Sequence, residues 1–267
     1  MAGPTTAQRG ARQAQGSSAA RPPHGGPSGG PLRLPGRGVL LLLLGLAVVL
    51  TAVGTWLLYG SSWLRVEQVK PSGTQVLTPD EVLAAAAVPV GAPLISVDTD
   101  AIEDRLRRKL PRIDSVEVIR SWPHGIDLEV TERKPVLLLE KGAKFVEVDD
   151  EGVRFATVSE APEGVPLLEL ASGRSPSLHR FGADRLLSEA VRVMGDLPRS
   201  VARDTLTVQA ASYDSITLEL DGDRTVVWGS AGQGAAKART LKALMKAVPG
   251  AGRFNVSAPT APAASGS

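Results

Sequence analysis

The longest stretch of the chain without charge is also its most apolar segment, and it lies near the N-terminus. No charged residue occurs between Arg37 and Arg65, and Val39–Tyr59 is almost entirely aliphatic. At about 1.5 Å per residue this segment spans about 31 Å, which matches the hydrocarbon core of a bilayer. A cleaved signal peptide has a shorter apolar region of about 7–15 residues and a small-x-small cleavage site, which is absent here. The pattern therefore predicts a retained transmembrane helix over residues 38–60 rather than a signal peptide or a buried core helix.

The next part of the chain, residues 61–134, alternates between the helical and the extended pattern. Thr78, Pro79 and Glu81 form the signature of a helix start, with a capping box and a proline in the first turn. Apolar residues recur at helical spacing over Ile102–Leu110, and apolar and polar residues alternate over Ile126–Glu132. The predicted order is strand, helix, helix, strand, strand.

From Pro135 onwards the pattern changes to short extended segments separated by turns. Helical stripes interrupt it at Leu186–Met194 and Ala235–Val248, and the fold class predicted for the whole chain is α+β. Ala, Pro, Ser and Gly dominate residues 258–267, which we expect to be a disordered tail. The predicted strands are 136–140, 144–148, 153–158, 167–170, 206–209, 215–220, 225–228 and 253–257.

Charge predicts the orientation of the helix in the membrane. Residues 1–37 contain five arginines and no acidic residue, in a Gly/Pro/Ser/Ala-rich context typical of a disordered tail. Basic flanks resist translocation, so we expect a cytoplasmic N-terminus and an exported remainder. The remainder carries 25 of the 30 basic residues against all 28 acidic ones, a net charge of −3. The overall basic balance therefore gives no reason to expect a nucleic-acid partner.

The sequence offers no recognisable site for catalysis, a cofactor or a metal. Cysteine is absent, and His24, His124 and His179 are scattered along the chain. Gly229–Gly234 lies between a predicted strand and a helix but lacks the lysine that a phosphate-binding loop places after its last glycine, so we interpret it as a flexible connection. The acidic turn Asp149–Gly152 is too short for the ligand spacing of a calcium loop. We expect no enzymatic activity and no small-molecule substrate.

Two segments are candidates for protein contacts. A basic run occupies the end of the second predicted helix, where it complements the helix dipole or forms a docking patch for an acidic partner. The last predicted strand leaves two readings open, an unpaired edge that accepts a partner's strand or an ordinary edge blunted by Pro259 and Pro262. The basic run consists of Arg105, Arg107, Arg108 and Lys109, and the possible docking patch consists of Arg105, Arg108 and Lys109. The candidate binding residues of the last strand are Arg253, Phe254, Asn255, Val256 and Ser257.

Several short motifs, in a fixed order behind one membrane helix, resemble the FtsQ/DivIB family of bacterial cell-division proteins. The most specific are Arg120-x-Trp122-Pro123 at a hairpin and Glu132-Arg133-x-Pro135 shortly after it. Gly91–Asp98, Val148–Phe155 and Lys237-x₃-Leu241 are also similar to family segments.

The resemblance implies a POTRA domain at residues 61–134 and a β-rich domain of the FtsQ type at residues 135–257. It also implies a non-enzymatic scaffold in the plasma membrane at the division septum, whose last strand pairs with membrane partners of the FtsB/FtsL type. Asn255 stands where the family often has aspartate. The alternatives are a membrane-anchored enzyme of the cell envelope and a POTRA-containing transport component.

Overall fold

The computed structural model describes residues 36–170 and 182–266. Its first helix, α1, is Arg37–Gly60, 24 residues long with no buried residue. Within these ranges, α1 is the one helix whose length and composition suit a membrane span. The predicted basic tail before Gly36 lies outside the described residues, as does His179.

The α/β domain, residues 61–134, has the predicted order of elements. Its sheet has the order β1-β3-β2, with β1 parallel and β2 antiparallel to β3. A 3₁₀ turn at Ser62–Leu64 precedes it, and the Trp122–Pro123 peptide bond in the β2–β3 hairpin is cis. The elements are β1 Gln68–Ser72, α2 Pro79–Ala86, α3 Thr99–Lys109, β2 Ile113–Ser121 and β3 Gly125–Glu132.

Local capping fixes where both helices of this domain begin. Thr78 and Glu81 form the predicted capping box at α2, and the Asp98 side chain accepts from the amide of Ala101 at α3. Ile102 and Leu106 of α3 face the sheet and are buried with the inward-facing residues of β3. The helices therefore cover one face of a three-stranded sheet.

The β-rich domain, from residue 135 onwards, contains a single nine-stranded sheet in the described residues, in the order β12-β11-β10-β9-β8-β7-β4-β5-β6. The β4–β7, β7–β8 and β10–β11 pairs are parallel and the others antiparallel. Three helices accompany it: α4 Ala183–Asp196, α5 Arg199–Asp204 and α6 Gly234–Ala247. The strands are β4 Leu137–Lys141, β5 Lys144–Val148, β6 Arg154–Val158, β7 Leu167–Leu170, β8 Thr205–Ser212, β9 Ser215–Leu220, β10 Arg224–Gly229, β11 Arg253–Asn255 and β12 Ala263–Ser265.

Two elements of the β-rich domain differ from the sequence-based expectation. The short helix α5 was not predicted, because its six residues are too few to show a helical period. The expectation of disorder over residues 258–267 is wrong for Ala263–Ser265, which pair with β11. Their composition gives no strand signal, and the strand exists because a neighbouring strand offers unpaired backbone groups.

The segment Glu132–Pro135 lies at the junction of the two domains and begins with a buried carboxylate. The Glu132 carboxylate accepts from the amides of Gln75, Val76 and Leu77 at 2.7–3.1 Å, which holds the loop before α2 against the end of β3. Glu132 is 9% exposed, so these amides replace the water that the carboxylate would otherwise bind.

Two arginines of the α/β domain reach carboxylates of the β-rich domain. Arg112 is bonded to Glu147 of β5 and stacks over the Phe155 ring, whose centroid lies 5.2 Å from its guanidinium carbon. Arg133 is bonded to Asp149, and Glu151 lies 3.4 Å away. Burial alone lowers the pKa of Arg133, but the hydrogen bond and the charge of Asp149 outweigh it, so the pKa is raised. The Glu132–Pro135 and Val148–Phe155 motifs therefore meet at one interface.

We predict that Arg112→Met destabilises the protein by about 3–5 kcal/mol, because it leaves the Glu147 carboxylate buried without a partner. The Glu147 side chain is 3% exposed. The double variant Arg112→Met/Glu147→Leu should recover most of this loss, as measured by chemical unfolding of the purified protein. Arg107→Met, which breaks the Arg107–Glu103 pair by removing an arginine whose side chain is 45% exposed, is the matched control and should cost about 0.5 kcal/mol or less. Equal effects of Arg112→Met and Arg107→Met would contradict this interpretation.

Candidate partner-binding site

The candidate strand, β11, lies between two other strands. β10 pairs with it in parallel, with Val226 opposite Phe254, and β12 pairs with it in antiparallel, with Ala264 opposite Phe254. Of the two readings that the sequence left open, an unpaired outer edge of β11 is therefore wrong. Pro259 and Pro262 do not simply blunt the edge, because the chain turns back between them and adds one more strand.

Burial alternates along β11, as expected for a strand with one face against the core. Phe254 and Val256 are 1% and 0% exposed and belong to the core of the β-rich domain, whereas Arg253, Asn255 and Ser257 are exposed. Phe254 and Val256 therefore hold β11 in the sheet and are not available as surface contacts. A partner at this site meets the backbone of β11 and the side chains of Arg253, Asn255 and Ser257.

The direction of the backbone groups of β11 follows from its bonds to β10. The amide of Val256 donates to the carbonyl of Val227 at 3.0 Å. Because neighbouring amides in a strand point to opposite sides, the amide of Asn255 points away from β10. The Asn255 side chain ends the strand by accepting from the amide and the hydroxyl of Ser257 at 3.0 and 2.8 Å.

Gly229 lets the end of β11 approach β10, a role that was not predicted from the sequence. Its φ is +77°, and a Cβ at this position would lie 2.9 Å from the Cβ of Ser257. Only glycine fits both the backbone conformation and the space. A signal for this role was the position of Gly229 directly after a strand, where a glycine often marks a bulge or a close approach of another backbone.

The segment Gly229–Gly234 is packed, and its interpretation as a flexible connection is wrong. Lys237, 1% exposed, donates from Nζ to the carbonyls of Trp228 and Ser230 at 3.0 and 2.7 Å. Burial lowers the pKa of this lysine. At Gly234 a Cβ would lie 1.8 Å from the Asp196 carboxylate. Lys237 of α6 therefore holds the loop in place from its buried side. The loop in turn fixes the end of β10 beside β11.

The structure divides the basic run on α3. Arg105 donates to the carbonyls of Ala86 and Ala87 at 2.5 and 3.4 Å and so caps the C-terminus of α2, while Arg107 pairs with Glu103 and Asp104. Arg108 and Lys109 are exposed. Arg105 is thus engaged within the domain, and a docking role of the patch rests on Arg108 and Lys109 and stays a prediction.

We predict that Gly229→Ala destabilises the β-rich domain by about 1–3 kcal/mol, because the new methyl group forces Ser257 away in a backbone region that alanine avoids. Gly250→Ala is the matched control, since nothing lies within 4 Å of a Cβ there. Its effect on the free energy of unfolding should stay within about 0.5 kcal/mol. A Gly229→Ala variant as stable as Gly250→Ala would contradict the close approach.

Comparison with known proteins agrees with this architecture. The FtsQ-type POTRA domain family matches residues 64–133, and the C-terminal domain family of cell division protein FtsQ/DivIB matches residues 137–257. Cell division protein FtsQ of Streptomyces venezuelae is 62% identical over 270 residues, covering 100% of this chain and 99% of its own. That of Streptomyces collinus is 63% identical over the full length of both chains. That of Mycobacteroides abscessus is 33% identical and covers 86% of this chain and 70% of its own. The chain therefore belongs to the FtsQ family of bacterial cell-division proteins, with a POTRA domain followed by the β-rich C-terminal domain of that family.

Proposed function

We propose that the chain is a non-enzymatic scaffold of the division machinery, anchored in the plasma membrane at the septum by α1. In this role it binds small membrane partners of the FtsB/FtsL type through its exported part. The observation that carries the proposal is that the outer edge of β11 is covered only by β12, which pairs with it over three residues. Membership of the FtsQ family supports the division role.

Strand addition suits this edge for a physical reason. A partner strand gains backbone hydrogen bonds along β11 without any need for a pocket. Arg253 and Asn255 lie on the exposed face and supply the side-chain contacts that select the strand. Phe254 and Val256 keep the edge rigid from the core side, so little ordering cost falls on the scaffold when the partner binds.

We predict that Asn255→Pro abolishes co-purification of the FtsB/FtsL-type partners with the full-length chain. Proline removes the amide that points to the outer edge, and its ring obstructs an incoming strand. Asn255→Ala is the matched control, because it removes the side chain and keeps the amide, and it should bind partners within a few-fold of the unmodified chain. Unfolding curves of both variants should show that the β-rich domain stays folded. Partner binding by a folded Asn255→Pro variant would contradict strand addition at β11.

The proposed orientation places residues 1–36 in the cytoplasm and everything after α1 outside it. The absence of cysteine from the chain permits a direct assay with single engineered cysteines. We predict that a membrane-impermeant thiol reagent labels Ser159→Cys, an exposed position, in intact cells and leaves Ser28→Cys unlabelled until the membrane is opened. The reverse labelling pattern would contradict the proposed orientation.

A further inference from the structure

The last strand of the sheet, β12, is bound more weakly than the strands it extends. It pairs with β11 over three residues, as β11 does with β10, but β11 also places Phe254 and Val256 in the core. Ala263 and Ser265 are exposed, and only Ala264 packs against the core. A single buried methyl group contributes about 0.8 kcal/mol, so β12 is held mainly by backbone hydrogen bonds.

The turn that leads into β12 is also lightly held. Within residues 258–262 the contacts to the rest of the domain include a long hydrogen bond, 3.4 Å, from Thr240 Oγ1 of α6 to the carbonyl of Pro259. The amide of Ala261 donates to the carbonyl of Ala258 at 3.0 Å, a bond within the turn itself. A surface groove of about 610 Å³, lined by Arg239, Thr240 and Pro259 among others, separates the turn from α6. The turn therefore rests beside α6 with space between them.

We propose that residues 258–266 are a removable cap on β11, and that a partner strand binds by displacing β12 from this edge. The inference rests on the proposed function, because it assumes that the partner adds a strand at β11. In the absence of a partner the cap pairs the backbone groups that would otherwise leave the edge open to aggregation. When the partner arrives, β12 leaves and the turn swings away from α6, while β11 and β10 keep their places.

The register of β12 indicates the chemistry of the strand that replaces it. Ala264 lies opposite Phe254, and Ser265 lies opposite Arg253, which forms no ion pair within the described residues. A strand with a larger apolar side chain in the place of Ala264 and an acidic one in the place of Ser265 makes better cross-strand pairs at both positions. Such pairs contribute about 0.2–1 kcal/mol each, so an alternating apolar and acidic strand competes well with the cap.

The cap belongs to the same chain as β11, which gives it an advantage over any partner that binds from solution. A segment joined by a short linker acts at an effective concentration in the millimolar range, so three residue pairs keep the edge covered most of the time. The partner can bind only to the fraction of molecules in which the edge is open, and its apparent affinity falls in proportion to that fraction. Because minor states are typically populated at about 0.1–10%, removing the cap should raise the apparent affinity by about tenfold or more.

The test compares full-length protein in lipid nanodiscs with a variant that ends after Ser257, using a purified FtsB-type protein as the probe. We expect the shortened variant to bind at least about tenfold more tightly than the full-length chain. A reversible lock provides a second readout on one and the same molecule. The variant Asn255→Cys/Ala263→Cys places two exposed cysteines directly opposite each other, and the chain has no other cysteine. Its oxidised form should lose partner binding and regain it on reduction, whereas Asn255→Cys alone should bind equally under both conditions.

The outcomes separate this inference from the proposed function. Equal affinities of the shortened and full-length chains, together with equal binding of the oxidised and reduced double variant, would overturn the cap while leaving strand addition at β11 intact. Full binding by the folded Asn255→Pro variant in the same assay would overturn strand addition itself, and the cap with it. Tighter binding after truncation and loss of binding in the locked form would establish displacement.

Discussion

Backbone groups at the edge of a β-sheet must find partners, and this requirement organises the C-terminal half of the protein. The nine-stranded sheet ends at β12 on one side, so the strand that carries the candidate site is covered by a segment only three residues long. Most features around the site hold β11 in place. Phe254 and Val256 pack into the core, and the absence of a side chain at Gly229 lets Ser257 lie close to the end of β10. A fixed strand with a weakly held neighbour is suited to exchange that neighbour for another strand.

The same requirement explains why the loop before α6 is so firmly packed. The buried ammonium group of Lys237 donates hydrogen bonds to the carbonyls of Trp228 and Ser230, at the point where β10 ends. β10 is the strand with which β11 pairs, so a displaced end of β10 would also displace the edge of the sheet. The buried lysine therefore acts at a distance from the exposed surface, by fixing the strand that fixes the site.

Charged side chains at the domain junction perform a different task. Arg112 and Arg133 of the α/β domain meet Glu147 and Asp149 of the β-rich domain with both carboxylates buried. A buried pair contributes little net stability but makes any other arrangement of the two domains costly, since it would leave charges without partners. The pairs thus specify how the POTRA domain stands on the β-rich domain. The family-like motifs at Glu132–Pro135 and Val148–Phe155 supply two of these four side chains, Arg133 and Asp149.

The sequence predicted well what local chemistry decides. The capping box of Thr78 and Glu81 and the alternation in β3 depend on residues a few positions apart, and both are present. The POTRA domain and the family were recognised from short motifs in order.

Apart from the short helix α5, the errors share a cause, which is contact between residues far apart in sequence. Gly229 is constrained by Ser257, and Arg105 caps a helix that ends 19 residues earlier. β12 forms in a segment with no strand signal because β11 lies next to it. The strand that carries the candidate site was predicted, but the pairing of its outer edge with β12 could not be predicted from composition.

Amide hydrogen exchange measured with and without a bound FtsB-type partner tests the central claim most directly. Strand exchange at this edge predicts that the amides of Ala263 and Ser265, which face β11, lose protection when the partner binds, while the amide of Asn255 keeps its protection because a new strand replaces the old one. Unchanged protection of the Ala263 and Ser265 amides in the fully bound complex would contradict the account.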